Sequence, residues 1–276
     1  MHCCRFTTES SDRSVLGRVD HENETIAALD IDEPSLDAAL RRGTSVDDAP
    51  ATDETYDLAD VTLRTPVERP TNLLGIGLNY AGHAAEGGFD VPEEPVFFAK
   101  SPSSIADPGG EIVRHDLVTD LHYEGEFAVV IGDRLRAADP DSVCEGVFGY
   151  TAANDVTARD LQARDLDDAL PWFRSKSMET FTPLGPWVAT ADEADAGDIG
   201  IETRLNGETV QDARTDDLIF DVAEALSAVS QYVTLQPGDV VLTGTPAGIG
   251  SMEPGDEIEV EIEEIGTLRN AVVAPE

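Results

Sequence analysis

Cations are scarce in this chain: 18 Lys and Arg face 56 Asp and Glu among 276 residues, a formal net charge of −38. Nucleic acid and anionic membrane surfaces attract the opposite sign, so neither is an expected partner. The acids are spread along the chain and interleaved with apolar periodicity, which argues against a disordered acidic tail. Self-repulsion at this charge is severe in dilute buffer and fades at molar salt, where the Debye length shrinks to ~3 Å. The expectation is therefore a halophilic protein in a salt-rich cytoplasm. Cysteine is also rare. Cys3, Cys4 and Cys144 are odd in number and lack zinc-ligand spacing, so a reducing compartment is expected, with no disulfide frame and no zinc site. No apolar run approaches the ~18 residues of a membrane span, and the opening MHCCRFTTESSDRS has no apolar signal core, so neither a span nor a signal peptide is predicted.

What is present suffices for a core: 41% of residues are apolar. The length suits one large domain, or one domain with a small appendage. Residues 1–66 read as a small N-terminal subdomain, loosely joined to the rest. It has short strands around Val15–Leu16 and Ile26–Ala28, a helix from Ser35 to Arg42 that Gly43 ends, and little periodicity between Thr44 and Tyr56. Residues 67–276 read as the main domain. Asn206-Gly207 predicts a hairpin between Ile201 and Val210, Asp216 or Asp217 is placed to cap a helix reaching Tyr232, Asp139-Pro140 reads as a turn, and Phe173 to Trp187 reads as an ordered loop. Strands outnumber helices without regular alternation, so the class is mainly β with few helices (α+β) and a doubly wound sheet is disfavoured.

The chemistry centres on Glu124-Gly125-Glu126, which opens the apolar run Phe127 to Ile131. Side chains at i and i+2 of a strand share a face, so the two carboxylates point the same way and repel unless something cationic lies between them. Asp155, ending another apolar run, supplies a third hard oxygen ligand suited to Mg²⁺, Mn²⁺ or Ca²⁺. Glu-x-Glu in so acidic a chain equally describes a solvated face. His83 and Glu86 stand at i and i+3 before Gly87-Gly88, as a general base and its orienting carboxylate would, or as a surface pair. Arg159 and Gln162 share a helical face and can reach an anionic or carbonyl oxygen. Lys176 stands out where lysine is so rare, and Thr245 lies in a glycine-rich loop after a strand whose amides can hold a carboxylate.

Five motifs in order, GIGLNYAGHAAE, LHYEGEFAVVIG, GYTAANDVTARDLQ, RSKSMETFTPLGPW and LTGTPAGIG, resemble the fumarylacetoacetate hydrolase family from about residue 70 onward. The likeness extends to its acylpyruvase and 2-hydroxyhepta-2,4-diene-1,7-dioate isomerase branch. The resemblance implies a mixed β-sandwich or roll, a homodimer, and Mg²⁺ or Mn²⁺ held by Glu124, Glu126 and Asp155. It implies His83 and Glu86 as a water-activating dyad, Lys176 as a catalytic cation, and Arg159, Gln162 and Thr245 as substrate-binding positions. One departure is Glu179, where relatives often carry Asp. The implied activity is hydrolysis of a C–C bond in a 2-oxo or β-diketo acid of acylpyruvate or fumarylpyruvate type, through a metal-stabilised enolate. Alternatives are isomerisation or decarboxylation of a dienedioate or oxaloacetate, dehydration of a 2-keto-3-deoxy sugar acid, and a non-enzymatic acidic cation-binding protein.

Overall fold

The computed structural model describes residues 1–275, and within them strands dominate, gathered in three sheets with six short α-helices. The largest sheet has twelve strands. Its spine runs in the order Ala51–Asp57, Thr25–Leu29, Ser11–Asp20, His2–Thr8, Thr182–Thr190, Val147–Asn154, Gly125–Ile131, Val240–Leu242, Leu73–Gly77, Val96–Ala99. At its centre, Phe127, Val129 and Ile131 enter one core cluster while Ala128 and Val130 enter another on the opposite face. A strand buried on both faces reads as a continuous apolar run, which is why this segment is plain in the sequence. Among the described residues, no helix is long and apolar enough to cross a membrane.

The first 66 residues form one wing of this sheet. They are joined to it by antiparallel pairing of His2 with Ala189 and Cys3 with Val188, a ladder where the sequence suggested a loose connection. The stretch after Thr44 contains the edge strand Ala51–Asp57, whose side chains are almost all exposed. With neither face buried, it carries no alternation to read.

Local signals elsewhere fare unevenly. Ser35 and Gly43 bracket the helix Leu36–Arg42, with Gly43 in the left-handed region at φ 74°. Asn206 and Gly207 turn the hairpin between Gly200–Leu205 and Glu208–Arg214 with φ of 53° and 81°. The C-terminal helix, however, begins at Val222. Asp221 caps it by accepting from Glu224 N at 2.8 Å, and Glu224 returns a bond to Asp221 N, whereas Asp216 and Asp217 lie in a preceding 3₁₀ turn. Asp139 likewise caps the helix Pro140–Gly146, where a turn was expected. The supposed loop from Phe173 contains the short helix Phe173–Lys176 and then the fully buried strand Thr182–Thr190, its identity hidden by Pro183, Gly185 and Pro186.

A three-stranded sheet (Thr157–Ala158, Leu121–Tyr123, Gly250–Met252) abuts the large one where Tyr123 passes to Gly125. A five-stranded sheet (Glu208–Arg214, Gly200–Leu205, Glu257–Ile262, Gly266–Val273, Glu111–Val113) lies beside both. The carboxylates sit at that junction.

Candidate metal centre and active site

Glu124 occupies the single residue between the strands Leu121–Tyr123 and Gly125–Ile131. Its amide donates to Asn154 Oδ1 at 2.9 Å, and its carbonyl accepts from Asp155 N at 2.8 Å, so the last rung of the ladder sets both acids side by side. Gly125 is required there, since a Cβ would stand 2.0 Å from Thr203 Oγ1. Glu126, paired in register with Ala153, points to the same place. Ligand oxygens of Glu124, Glu126 and Asp155 lie within 4.8 Å of one another, and all three residues are buried.

Three cations are folded onto this cluster. Lys176 Nζ donates to Glu124 Oε2 at 2.8 Å, to Thr157 Oγ1 at 2.9 Å and to Asp155 Oδ2. Arg159, at the start of the helix Arg159–Asp167, donates to Glu124 Oε1 and to Gln162 Oε1. Lys100 follows the outer strand Val96–Ala99, is sealed from solvent, and donates to Asp155 Oδ1 and, at 3.1 Å, to the Phe181 carbonyl. The sequence reading missed Lys100, although a signal existed. Lys100 and Lys176 are the only two lysines in the chain, and both are buried in this site.

The electrostatics separate the three acids. Burial alone would raise Glu124, but Lys176 and Arg159 overcome it and hold its carboxyl well below the usual range. Among the described residues no cation forms an ion pair with Glu126; its bond is from Gly244 N at 2.6 Å, and Lys176 only partly offsets its neighbours' charge. Burial, then the charges of Asp155 and Glu124, push Glu126 well up, which favours its protonated form in the absence of a cation. A buried acid whose ionised form is disfavoured without a cation, beside two further carboxylates and with no sulfur or nitrogen in the group, suits a hard divalent ion. Lys176 would be lowered by burial, but Asp155 and Glu124 keep it raised and charged.

All nine residues singled out from the sequence line one cavity of about 290 Å³. His83 and Glu86 come from the helix Ala81–Glu86. His83 Nδ1 stands 3.9 Å from Glu86 Oε2, beyond hydrogen-bond range, while that oxygen accepts from Gly248 N at 3.1 Å. Nδ1 is enclosed without a partner, which leaves Nε2 as the nitrogen available to a ligand, and burial lowers the ring below its ordinary pKa. Thr245 Oγ1 accepts from Gln211 Nε2 at 2.8 Å, and Gln211 Oε1 accepts from Gly125 N at 3.0 Å. Gln211, also absent from the sequence reading, thereby ties the glycine-rich loop to the carboxylate strand.

The family description "fumarylacetoacetate (FAA) hydrolase C-terminal" matches residues 72–273. This chain belongs to the fumarylacetoacetate hydrolase family. Within that family, the mitochondrial oxaloacetate tautomerase of Homo sapiens is 40% identical over 223 residues, covering 78% of this chain and 70% of that protein. The structure of 2-hydroxyhepta-2,4-diene-1,7-dioate isomerase from Mycobacterium marinum superposes with a TM-score of 0.83 at 32% identity, covering 99% of this chain and 98% of that one. The fumarylacetoacetate hydrolase from psychrophilic Exiguobacterium antarcticum gives 0.85 at 38%, covering 100% of both chains. These relatives do not support the salt-rich source expected from the charge.

Proposed function

We propose that this chain is a divalent-metal-dependent enzyme that enolises a 2-oxo acid and moves a proton, as a tautomerase or isomerase does. The observation that carries this reading is the place of His83: it lines the cavity that holds Lys176 and the three carboxylates, its Nδ1 is enclosed without a partner, and burial lowers the ring below its ordinary pKa, which favours the neutral form. Mg²⁺ or Mn²⁺ held by Glu124, Glu126 and Asp155 would supply positive charge against the substrate's carboxylate and keto oxygen. Lys176 and Arg159 orient the substrate's carboxylate and offset the negative charge that develops on the keto oxygen. Neutral His83 takes the proton from the adjacent carbon and returns it elsewhere. Two of the three relatives named above are an isomerase and a tautomerase, which supports the reading.

C–C hydrolysis of an acylpyruvate or fumarylpyruvate is the second reading, favoured by one observation. Glu86 lies on the same helical turn as His83 and is followed by Gly87 and Gly88, so a small shift could form the water-activating pair. Incubating the Mg²⁺-loaded enzyme in parallel with oxaloacetate, acylpyruvates and keto-deoxy sugar acids separates the outcomes. Faster keto–enol interconversion without chain cleavage is expected; cleavage, decarboxylation or dehydration as the dominant flux would overturn the proposal. The proposed macromolecular partner is a second copy of the chain, suggested by exposed Leu170, Phe173 and Tyr232 near the outer strand Val96–Ala99. A monomer at all concentrations in sedimentation equilibrium would reject that.

A further inference from the structure

The cavity's outer wall is made of Phe89, Phe98, Leu166, Trp172 and Ile249. Phe98 comes from the outer strand Val96–Ala99, and Trp172 immediately precedes the helix Phe173–Lys176; their rings meet edge-on at 5.5 Å. Glycines on the neighbouring strand make room for both. A Cβ on Gly75 would stand 2.5 Å from Phe98, and one on Gly77 would stand 2.6 Å from Trp172. Lys176 Nζ lies 5.0 Å over the Phe98 ring, so the aromatic wall begins where the cationic end stops. Phe89 and Leu166 are 40% and 38% exposed, which places apolar surface at the mouth.

No cation among the described residues lining the cavity is free to meet a second anionic group. Lys176 and Arg159 are held at the deep end by Glu124, Asp155 and Gln162, where the proposed function gives them the substrate's own carboxylate, and Arg159 Nε, which has no partner, is enclosed. His122 has its Nε2 3.1 Å from Asp120 Oδ1, and its Nδ1 is enclosed. Glu86, which also lines the cavity, is itself an acid, with a side chain 38% exposed. A distal carboxylate would therefore lose hydration against aromatic rings and meet a like charge, whereas an apolar group would gain by burial.

We infer that the substrate is a 2-oxo acid whose far end is an alkyl or aryl group, not a second carboxylate. This rests on the enolising reading of the same cavity. It also sets the chain apart from the relatives whose names specify a dioate or oxaloacetate.

The test uses unreactive 2-oxo acid mimics, so that binding is read separately from turnover. Calorimetry with Mg²⁺ compares oxamate, N-benzyloxamate and N-(3-carboxypropyl)oxamate. The benzyl compound should bind roughly tenfold tighter than the carboxypropyl one, about 1.4 kcal/mol. Trp172→Ala should remove most of that gain, read as the ratio of N-benzyloxamate to oxamate affinity within the variant, and Leu166→Lys should narrow or reverse the preference. Equal or tighter binding of the carboxypropyl compound, no gain over oxamate from the benzyl group, or no binding of any of the three would overturn the inference. A benzyl preference without enolisation of any 2-oxo acid would sink the proposed reaction alone; turnover with a carboxylate preference would sink the apolar-end reading alone.

Discussion

At the deep end of the cavity, Lys100, Lys176 and Asp155 are sealed from solvent by strands locked in register, and each charge meets an opposite one. At the mouth, Glu86 and Phe89 are partly exposed on a six-residue helix and the Gly87-Gly88 turn that follows it. Under the proposed function, the deep end would recognise only what every 2-oxo acid shares. The mouth rests on surface elements that can change without disturbing the ladder, so substrate choice is free to vary there.

The contrast is tested hardest by removing a deep charge. Lys100→Met takes one of two cations from Asp155 and should cost roughly 1–3 kcal/mol in urea unfolding, because the buried Oδ1 loses its donor while Lys176 still pairs with Oδ2. A loss under about 1 kcal/mol would mean that the deep end is less tightly determined than its burial suggests. Glu124→Ala should also abolish stoichiometric Mg²⁺ binding in equilibrium dialysis; retained metal would refute that ligand.

His83→Ala should leave metal content and unfolding midpoint unchanged while lowering the rate by about 10²–10⁴. Unchanged turnover would remove His83 from the chemistry. The rate should also carry a pH signature. Burial lowers His83 from its ordinary 6.5, so the ring is neutral and able to accept a proton at pH 7. As pH falls through the lowered value the ring charges and the rate drops, which puts the acid limb of the profile below 6.5. An acid limb above 7 would assign that step to another group.

Much of the deep end is legible in the sequence, because i and i+2 carboxylates on a strand must share a face and Phe127 to Ile131 is apolar throughout. Lys100 is not, because Val96 to Lys100 reads simply as a strand and its end. Its signal was compositional: surface lysine has been shed so completely that the two that remain are both held by buried acids. The mouth was harder still. Phe98 and Trp172 look like ordinary core aromatics, and only the close approach of Gly75 and Gly77 shows that the two rings form a wall. The strand Thr182–Thr190 was hidden for a related reason: Pro183, Gly185 and Pro186 signal turns locally, and tertiary pairing with His2–Thr8 and Val147–Asn154 overrides them.

The smallest expected effect is the most discriminating. Glu86 lies 3.9 Å from His83 Nδ1 and is already held by Gly248 N, so the proposed proton transfer by His83 would not depend on it. Glu86→Gln keeps the shape and can still accept that amide bond, and it should lower enolisation by less than about tenfold, well short of the loss from a missing general base. Water activation by a His–Glu pair predicts otherwise, because removing the carboxylate would cost the imidazole both its orientation and its basicity. If Glu86→Gln and His83→Ala prove equally damaging, and the double variant is no worse than either, the two residues act as one unit. The segment would then close during turnover, and hydrolysis would displace isomerisation as the reading of this site.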